Sequence, residues 1–286
     1  MDWTERRQRF RAVLAGTRCV HPASVFDAIS ARIAEDLGFE IGMFAGSVAS
    51  LAVLGAPDLI VVTMTEFAEQ AYRICRAGNL ALLVDADHGY GNALNVMRTV
   101  QELETSGVAA LTIEDTALPA GFGAAEKPRL LSIEEGIGKM RAALRARQDK
   151  RLAIVGRTSA ASITGIDDTV TRAKAYEAAG VDALFFVGLK TRAQLEAIAA
   201  AVKLPILLGG AGAELDDVSY LATQRVRICL QGHLPIMAAI RAVHDTLKAL
   251  RDGVKPADIA GIAPEALMQQ VTRDKDYKAW IKEFLS

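Results

Sequence analysis

The chain has 286 residues, is 51% apolar and carries a formal net charge of −1, a size that suits one large α/β domain with a substantial core. The near-neutral charge excludes a global field that recruits nucleic acid or an anionic membrane. The three scattered cysteines, Cys19, Cys75 and Cys229, exclude a CxxC zinc site or a disulfide scaffold and fit a reducing compartment.

Met1 to Arg11 is charged on both signs and lacks the apolar region of a signal peptide. The longest uncharged stretch, Ile41 to Pro57, is interrupted by Gly42, Gly46 and Gly55 and falls short of the ~20 residues of a membrane span. A soluble, cytoplasmic protein is expected.

Short apolar runs alternate with longer amphipathic ones along the chain. Strands are expected near 24–27, 39–45, 80–85, 109–114, 151–157, 182–187, 204–209 and 225–231. Runs such as Leu80-Ala81-Leu82-Leu83-Val84 are continuously apolar, as in a parallel sheet covered on both faces. Helix boundaries are readable between them. Gly38 closes a helix over 28–37, and Thr63 with Glu66 forms a capping box, as does Ser132 with Glu135. Asp167 is expected to cap a helix over 168–179 that Gly180 closes. Eight strands alternating with helices predict a (β/α)₈ TIM barrel spanning 1–286 as a single domain, with additional C-terminal helices. An open doubly wound sheet is the alternative, weakened because no Gly-rich dinucleotide fingerprint follows the first strand. Thr116 to Leu130 reads as a lid loop. The segment about 264–286 reads as helical, with Tyr277, Trp280 and Phe284 available to a neighbouring subunit.

In such a barrel the active site lies at the C-terminal strand ends. Asp27, Ser47, Asp85, Asp87, Glu114, Asp115, Arg157 and His233 all fall there. Asp85 and Asp87 repel each other unless a cation lies between them or one is protonated. Their hard oxygens, followed by Gly89-Tyr90-Gly91, suit Mg²⁺ or Mn²⁺ rather than zinc. The plainer reading is a solvated turn in which Asp87 caps the next helix. Glu114 can complete a metal site through water or pair with a nearby cation. Arg157 can grip a carboxylate with both arms or form a structural ion pair with Glu114 or Asp115. Gly46-Ser47 offers a hydroxyl and backbone N–H groups to an anion, or simply caps a helix. His233 can donate to a substrate carboxylate or serve structure alone. His88 points into the metal turn without an evident ligand role.

Phe44-Ala45-Gly46-Ser47, Ala56-Pro57-Asp58, Asp85-Ala86-Asp87-His88-Gly89-Tyr90-Gly91, Ile113-Glu114-Asp115 and Gly156-Arg157-Thr158 occur in order over nearly the whole chain. In this combination the sequence resembles the isocitrate lyase/phosphoenolpyruvate mutase superfamily, most closely its oxaloacetate decarboxylase branch. The resemblance implies a (β/α)₈ barrel that uses Mg²⁺ on a small 2-oxo acid. It implies Asp85 as the metal ligand, with Asp87, Glu114 and Asp58 supporting through water. Ser47 with Gly46, Arg157 and His233 become substrate contacts, and Arg157 and His233 the catalytic pair. A homo-oligomer, tetramer or dimer, with the C-terminal segment exchanged between subunits is also implied.

Two departures stand out. The lyase branch carries a Lys-Arg-Cys-Gly-His-type motif in the lid, whereas Pro119 to Pro128 contains neither Cys nor His. That counts against isocitrate or methylisocitrate cleavage and favours decarboxylation of oxaloacetate to pyruvate, which needs no covalent nucleophile. Decarboxylase relatives also carry a tyrosine after strand seven, where this chain has Gly209-Gly210. Rival expectations are a phosphonopyruvate-type mutase or hydrolase, helped by Lys127 and Arg129 of the lid, a carboxylic-acid lyase cleaving another 2-oxo acid, and a 2-oxo acid or oxalate binder with little turnover.

Overall fold

The computed structural model describes residues 2–123 and 128–286. Eight parallel strands pair in sequence order: β1 (Ala23–Ser24), β2 (Ile41–Phe44), β3 (Ala81–Asp85), β4 (Ala110–Glu114), β5 (Ala153–Thr158), β6 (Ala183–Val187), β7 (Ile206–Gly209) and β8 (Val226–Cys229). Each lies within or one residue beyond its predicted range. The ring closes just ahead of β1. Val20 donates to the Arg227 carbonyl at 2.9 Å and accepts from Cys229 N–H at 3.0 Å, a parallel bridge between Val20 and Ile228. A doubly wound sheet reverses its strand order at a switch point. Sequential order with closure rules that alternative out.

The strands are largely apolar because both faces are covered. β3, β4 and β7 are buried at every position, and the helices between strands lay their apolar stripes on the outside. β1 stops early because Asp27 turns the chain into the helix Ala28–Asp36, accepting from Ser30 N–H as its cap. The Thr63–Glu66 capping box forms, and Ser132 accepts from Glu135 N–H. Gly38 and Gly180 both take left-handed backbone at helix ends, with φ of 81° and 98°. Asp167 departs from expectation. The helix starts at Ile166 behind Gly165, so Asp167 falls inside the first turn and caps nothing.

The lid is pinned at its base. Thr116 and Leu130 form an antiparallel bridge, and Leu131 N–H donates to the Asp115 carbonyl at 2.7 Å. Lys127 lies outside the described residues. After β8 come the helices Leu234–Arg251, Glu265–Thr272 and Asp274–Phe284, so the expected helical C-terminus is present. Among the described residues no helix is long and apolar enough to cross a membrane.

Candidate active site

A cleft of about 360 Å³ opens at the C-terminal ends of the strands. Ser47, Asp58, Asp85, Asp87, Glu114, Arg157 and His233 all line it. Sequence positions spread over 187 residues therefore converge, because every βα connection delivers its first residues to the same mouth.

Strand register fixes the centre. Asp85 pairs with Thr112 across β3–β4, and Glu114 pairs with Arg157 across β4–β5. Asp85 Oδ1 accepts from the Thr112 hydroxyl at 2.7 Å and from Asp87 N–H at 3.3 Å, while Oδ2 takes a close contact from Arg157. Arg157 also reaches Glu114 at 3.5 Å, and Glu114 accepts from the Thr116 hydroxyl at 2.8 Å. Burial opposes the Arg157 charge, yet Asp85 and Glu114 hold its guanidinium more firmly protonated than usual. The ion pair weighed for Arg157 is thus real, and its partners are Asp85 and Glu114. Asp115 is elsewhere: fully buried, it accepts from Arg172 at 3.0 Å and Tyr176 at 2.5 Å behind the strand end.

Four carboxylates face one guanidinium, and the excess shows in the protonation of Asp87, Glu114 and Asp58. Burial, then Asp85 and Glu114, push the Asp87 carboxyl well above the usual range. Burial also raises Glu114, and burial followed by Asp85 raises Asp58, which sits on the exposed rim. Asp87 does not cap the following helix; Asn92 does. Instead the Asp87 carboxylate packs on Gly46, where an added Cβ would lie 2.2 Å from Oδ2. Gly46 therefore makes room for Asp87 rather than lining the cleft itself. Ser47 does line it, and it caps nothing, since the short helix Gly46–Ala49 begins at Ala45 without a side-chain cap.

His233 enters from the opposite side. Its Nδ1 lies 2.8 Å from the Ser24 hydroxyl, which leaves Nε2 for the cleft. Burial lowers its pKa, against the pull of Asp85 and Asp58. Between Arg157 and His233, β6 and β7 contribute Phe185, Val187, Gly209 and Gly210, and Leu230 follows β8. The mouth is thus split into an acidic arc over β2–β5 and an apolar arc over β6–β8. Gly209 belongs to the apolar arc for a steric reason: a Cβ there would lie 2.9 Å from the Phe185 ring. Leu118 and Ala120 bring the start of the lid onto the cleft.

Ser24, Thr112 and Thr116 were not singled out in the sequence. Thr112 was findable, since a polar residue two before Glu114 in an otherwise apolar strand shares its face. Ser24 offers no comparable signal, because its partner is 209 residues away.

All donors in the acidic arc are oxygens. Among the described residues no three His, Cys, Asp or Glu side chains converge into a cluster that could hold an ion. The absence of such a cluster does not fit a closed structural zinc site, and carboxylate oxygens as the donors available suit a hard divalent cation rather than zinc.

Comparison with known proteins agrees with this geometry. The family model described as phosphoenolpyruvate phosphomutase matches residues 10–251. The chain is 63% identical to an oxaloacetate decarboxylase of Bradyrhizobium diazoefficiens over 98% of this chain and 96% of that one. It is 64% identical to the oxaloacetate decarboxylase of Rhodopseudomonas palustris strain BisB18 over 96% and 94% of the two chains. Among solved structures, a phosphonopyruvate hydrolase in complex with oxalate and Mg²⁺ superposes with a TM-score of 0.85 at 28% identity, covering 98% of this chain and 99% of that one. An oxaloacetate acetylhydrolase with 3,3-difluorooxalacetate gives a TM-score of 0.84 at 26% identity, covering 96% and 95%. Fold, strand-end chemistry and sequence thus converge, and the chain belongs to the phosphoenolpyruvate mutase family.

Proposed function

We propose that this protein decarboxylates oxaloacetate to pyruvate and CO₂ with a divalent cation, Mg²⁺ or in its place Mn²⁺, at Asp85. The observation that carries this reading is the division of one cleft into an oxygen-rich acidic arc and an apolar arc, bounded by Arg157 and His233. The names of the near relatives point to the same substrate. Asp85 is the direct ligand, and Asp87, Glu114 and Asp58 hold the surrounding water. When bound, the cation supplies Lewis-acid polarisation of the 2-oxo group.

The protein's own residues do the rest. Arg157 and Ser47 bind the carboxylate next to the oxo group. His233 Nε2 orients the far carboxylate so that the C3–C4 bond stands perpendicular to the carbonyl plane. The electron pair of that bond moves into the 2-oxo group, CO₂ leaves, and a proton taken from water at C3 completes pyruvate. A carboxylate that turns into neutral CO₂ gains from an apolar wall, which Phe185, Val187 and Leu230 provide. The lid, lacking the Cys and His of the lyase branch, serves to exclude water.

Pyruvate release from oxaloacetate, corrected for the spontaneous metal-driven background, tests the reading. Activity with Mg²⁺ that EDTA removes and Mn²⁺ restores is expected, and oxaloacetate should lead a panel of 2-oxo acids. Faster turnover of phosphonopyruvate, or tight oxalate binding without turnover of any panel member, would overturn it.

The protein is further proposed to work as a cytoplasmic homo-oligomer, a tetramer or dimer. Helix Leu234–Arg251 buries only Ile236 and leaves Met237, Ile240, Val243 and Leu247 exposed along one stripe. Tyr277, Trp280 and Phe284 are exposed too. Within one chain, Glu265–Thr272 rests on Ala28–Asp36 through an Arg273–Asp36 pair at 2.7 Å. Exchange of about 264–286 would make that contact between subunits. Light scattering should return two or four times 30.5 kDa, and Met237→Glu with Leu247→Glu should lower it. A wild-type monomer at working concentration would end this proposal.

A further inference from the structure

Lys139 lies on the helix Ile133–Ala146, outside the barrel wall, and is 3% exposed. Among the described residues no carboxylate lies within ion-pair distance of it. Its ammonium donates instead to the backbone carbonyl of His88 at 2.8 Å. Buried lysines without an ion pair are rare, because burial of an ammonium is costly unless its protons are used. This one is spent on a single turn.

That turn carries the acidic arc, and its backbone is strained. Asp87 and Tyr90 hold φ of 48° and 59°, and Gly89 and Gly91 hold 76° and 145°. Each non-glycine residue in the left-handed region costs about 1 kcal/mol or more, so neighbours must fix such a conformation. Four successive carbonyls are held here. Ala86 accepts from Gly89 N–H at 2.8 Å, and Asp87 from Glu114 N–H at 2.9 Å. His88 accepts from Lys139, and Gly89 from the Thr99 hydroxyl at 3.0 Å. Lys139 is the only charged donor of the four. It comes from 51 residues away, so it ties the turn to a different layer of the fold.

We propose that Lys139 is a positioning residue for the cation-binding carboxylates: by holding the His88 carbonyl it fixes the backbone from which Asp85 and Asp87 project. The inference rests on the cation role given to Asp85 above. Its test uses the sign of an effect. Coulomb's law alone says that deleting a positive charge behind an acidic cluster tightens cation binding. Positioning says that the same deletion weakens it, by about tenfold for a supporting contact.

Mn²⁺ affinity is measured by the loss of free-ion EPR signal in the full-length wild type, Lys139→Met and Lys139→Gln, with melting temperatures recorded in EDTA. Lys139→Met is expected to bind Mn²⁺ about tenfold more weakly. Its kcat at limiting Mg²⁺ should fall and should recover when Mg²⁺ is raised. Lys139→Gln, with a shorter neutral donor, should fall between the two. Unchanged or tighter Mn²⁺ binding in a folded Lys139→Met would overturn the proposal, as would a lowered melting temperature with unchanged affinity. If Lys139→Met does not fold, Lys139→Gln decides by the same sign. Mn²⁺ binding by a wild type that fails to turn over oxaloacetate would defeat the proposed reaction while leaving this test intact.

Discussion

Asp85→Asn is expected to lower oxaloacetate turnover about 1000-fold or more, a loss of about 4 kcal/mol in transition-state stabilisation, and to abolish Mn²⁺ binding in the micromolar range. The asparagine keeps the side-chain shape, and its oxygen can still accept from Thr112, which now bonds Oδ1 at 2.7 Å. What disappears is the anionic oxygen that Arg157 now contacts. Breaking a buried ion pair ordinarily destabilises by several kcal/mol, because the surviving charge is left alone. Here the survivor keeps Glu114 at 3.5 Å, and one of four mutually repelling carboxylates has been removed. The melting temperature in EDTA should therefore stay at or above that of the wild type while activity is lost, the trade-off of a site whose charges serve function rather than stability. A coupled assay of pyruvate release with parallel calorimetry checks both halves. Turnover within tenfold of the wild type would remove Asp85 from the reaction; a collapse of stability would show that the Asp85–Arg157 pair is mainly structural.

The barrel was legible because its signal is repeated eight times. Each apolar run such as Leu80 to Val84 is short and bounded by helix caps, so an error at one element does not propagate to the next. The site was legible for the same reason. Once strands alternate with helices, the residues at the end of each run must face the mouth; Asp85 and Glu114 end theirs, and Arg157 is the last but one of its own. What failed were local substitutions of role. Asp167 looked like a cap, but Gly165, with a φ of 104°, starts the helix earlier. Gly46 looked like part of an anion cradle. Its neighbour is the Asp87 carboxylate, brought there by a left-handed backbone that no periodicity announces.

Lys139 was hidden for a related reason. Amphipathic patterns treat lysine as a solvated residue, and nothing near it in sequence reveals a carbonyl 51 positions earlier. Ser24 and Thr112 act in the same way, as short side chains that orient His233 and Asp85 from a neighbouring strand. Residues that carry charge at strand ends can be read from one sequence; residues that hold them in place become visible only when strand register is known.

His233→Ala is expected to lower turnover about 100-fold, within the range for losing one donor aimed at developing or departing charge. The ring is held through Nδ1 by the Ser24 hydroxyl at 2.8 Å, so Nε2 is the nitrogen left to meet substrate. Burial lowers the ring's pKa and so favours the neutral imidazole at pH 7, and the tautomer that can donate to substrate is the one in which Nδ1 accepts from the Ser24 hydroxyl and Nε2 carries the proton. A neutral donor orients a carboxylate without forming the strong ion pair that would hold it back from leaving as CO₂. His233→Gln, which retains an N–H near the Nε2 position, should lose only about tenfold, and Ser24→Ala, which frees the ring to rotate, should lose less than His233→Ala. All three variants should bind Mn²⁺ like the wild type, since none removes a carboxylate of the acidic arc. Steady-state kinetics with EPR titration separates the possibilities. Unchanged kinetics in His233→Ala would take the residue out of the site, and a parallel loss of Mn²⁺ would move it from the substrate to the metal. The order Ala below Gln is the more telling result, because a purely steric role for the imidazole predicts no advantage for an amide that can donate.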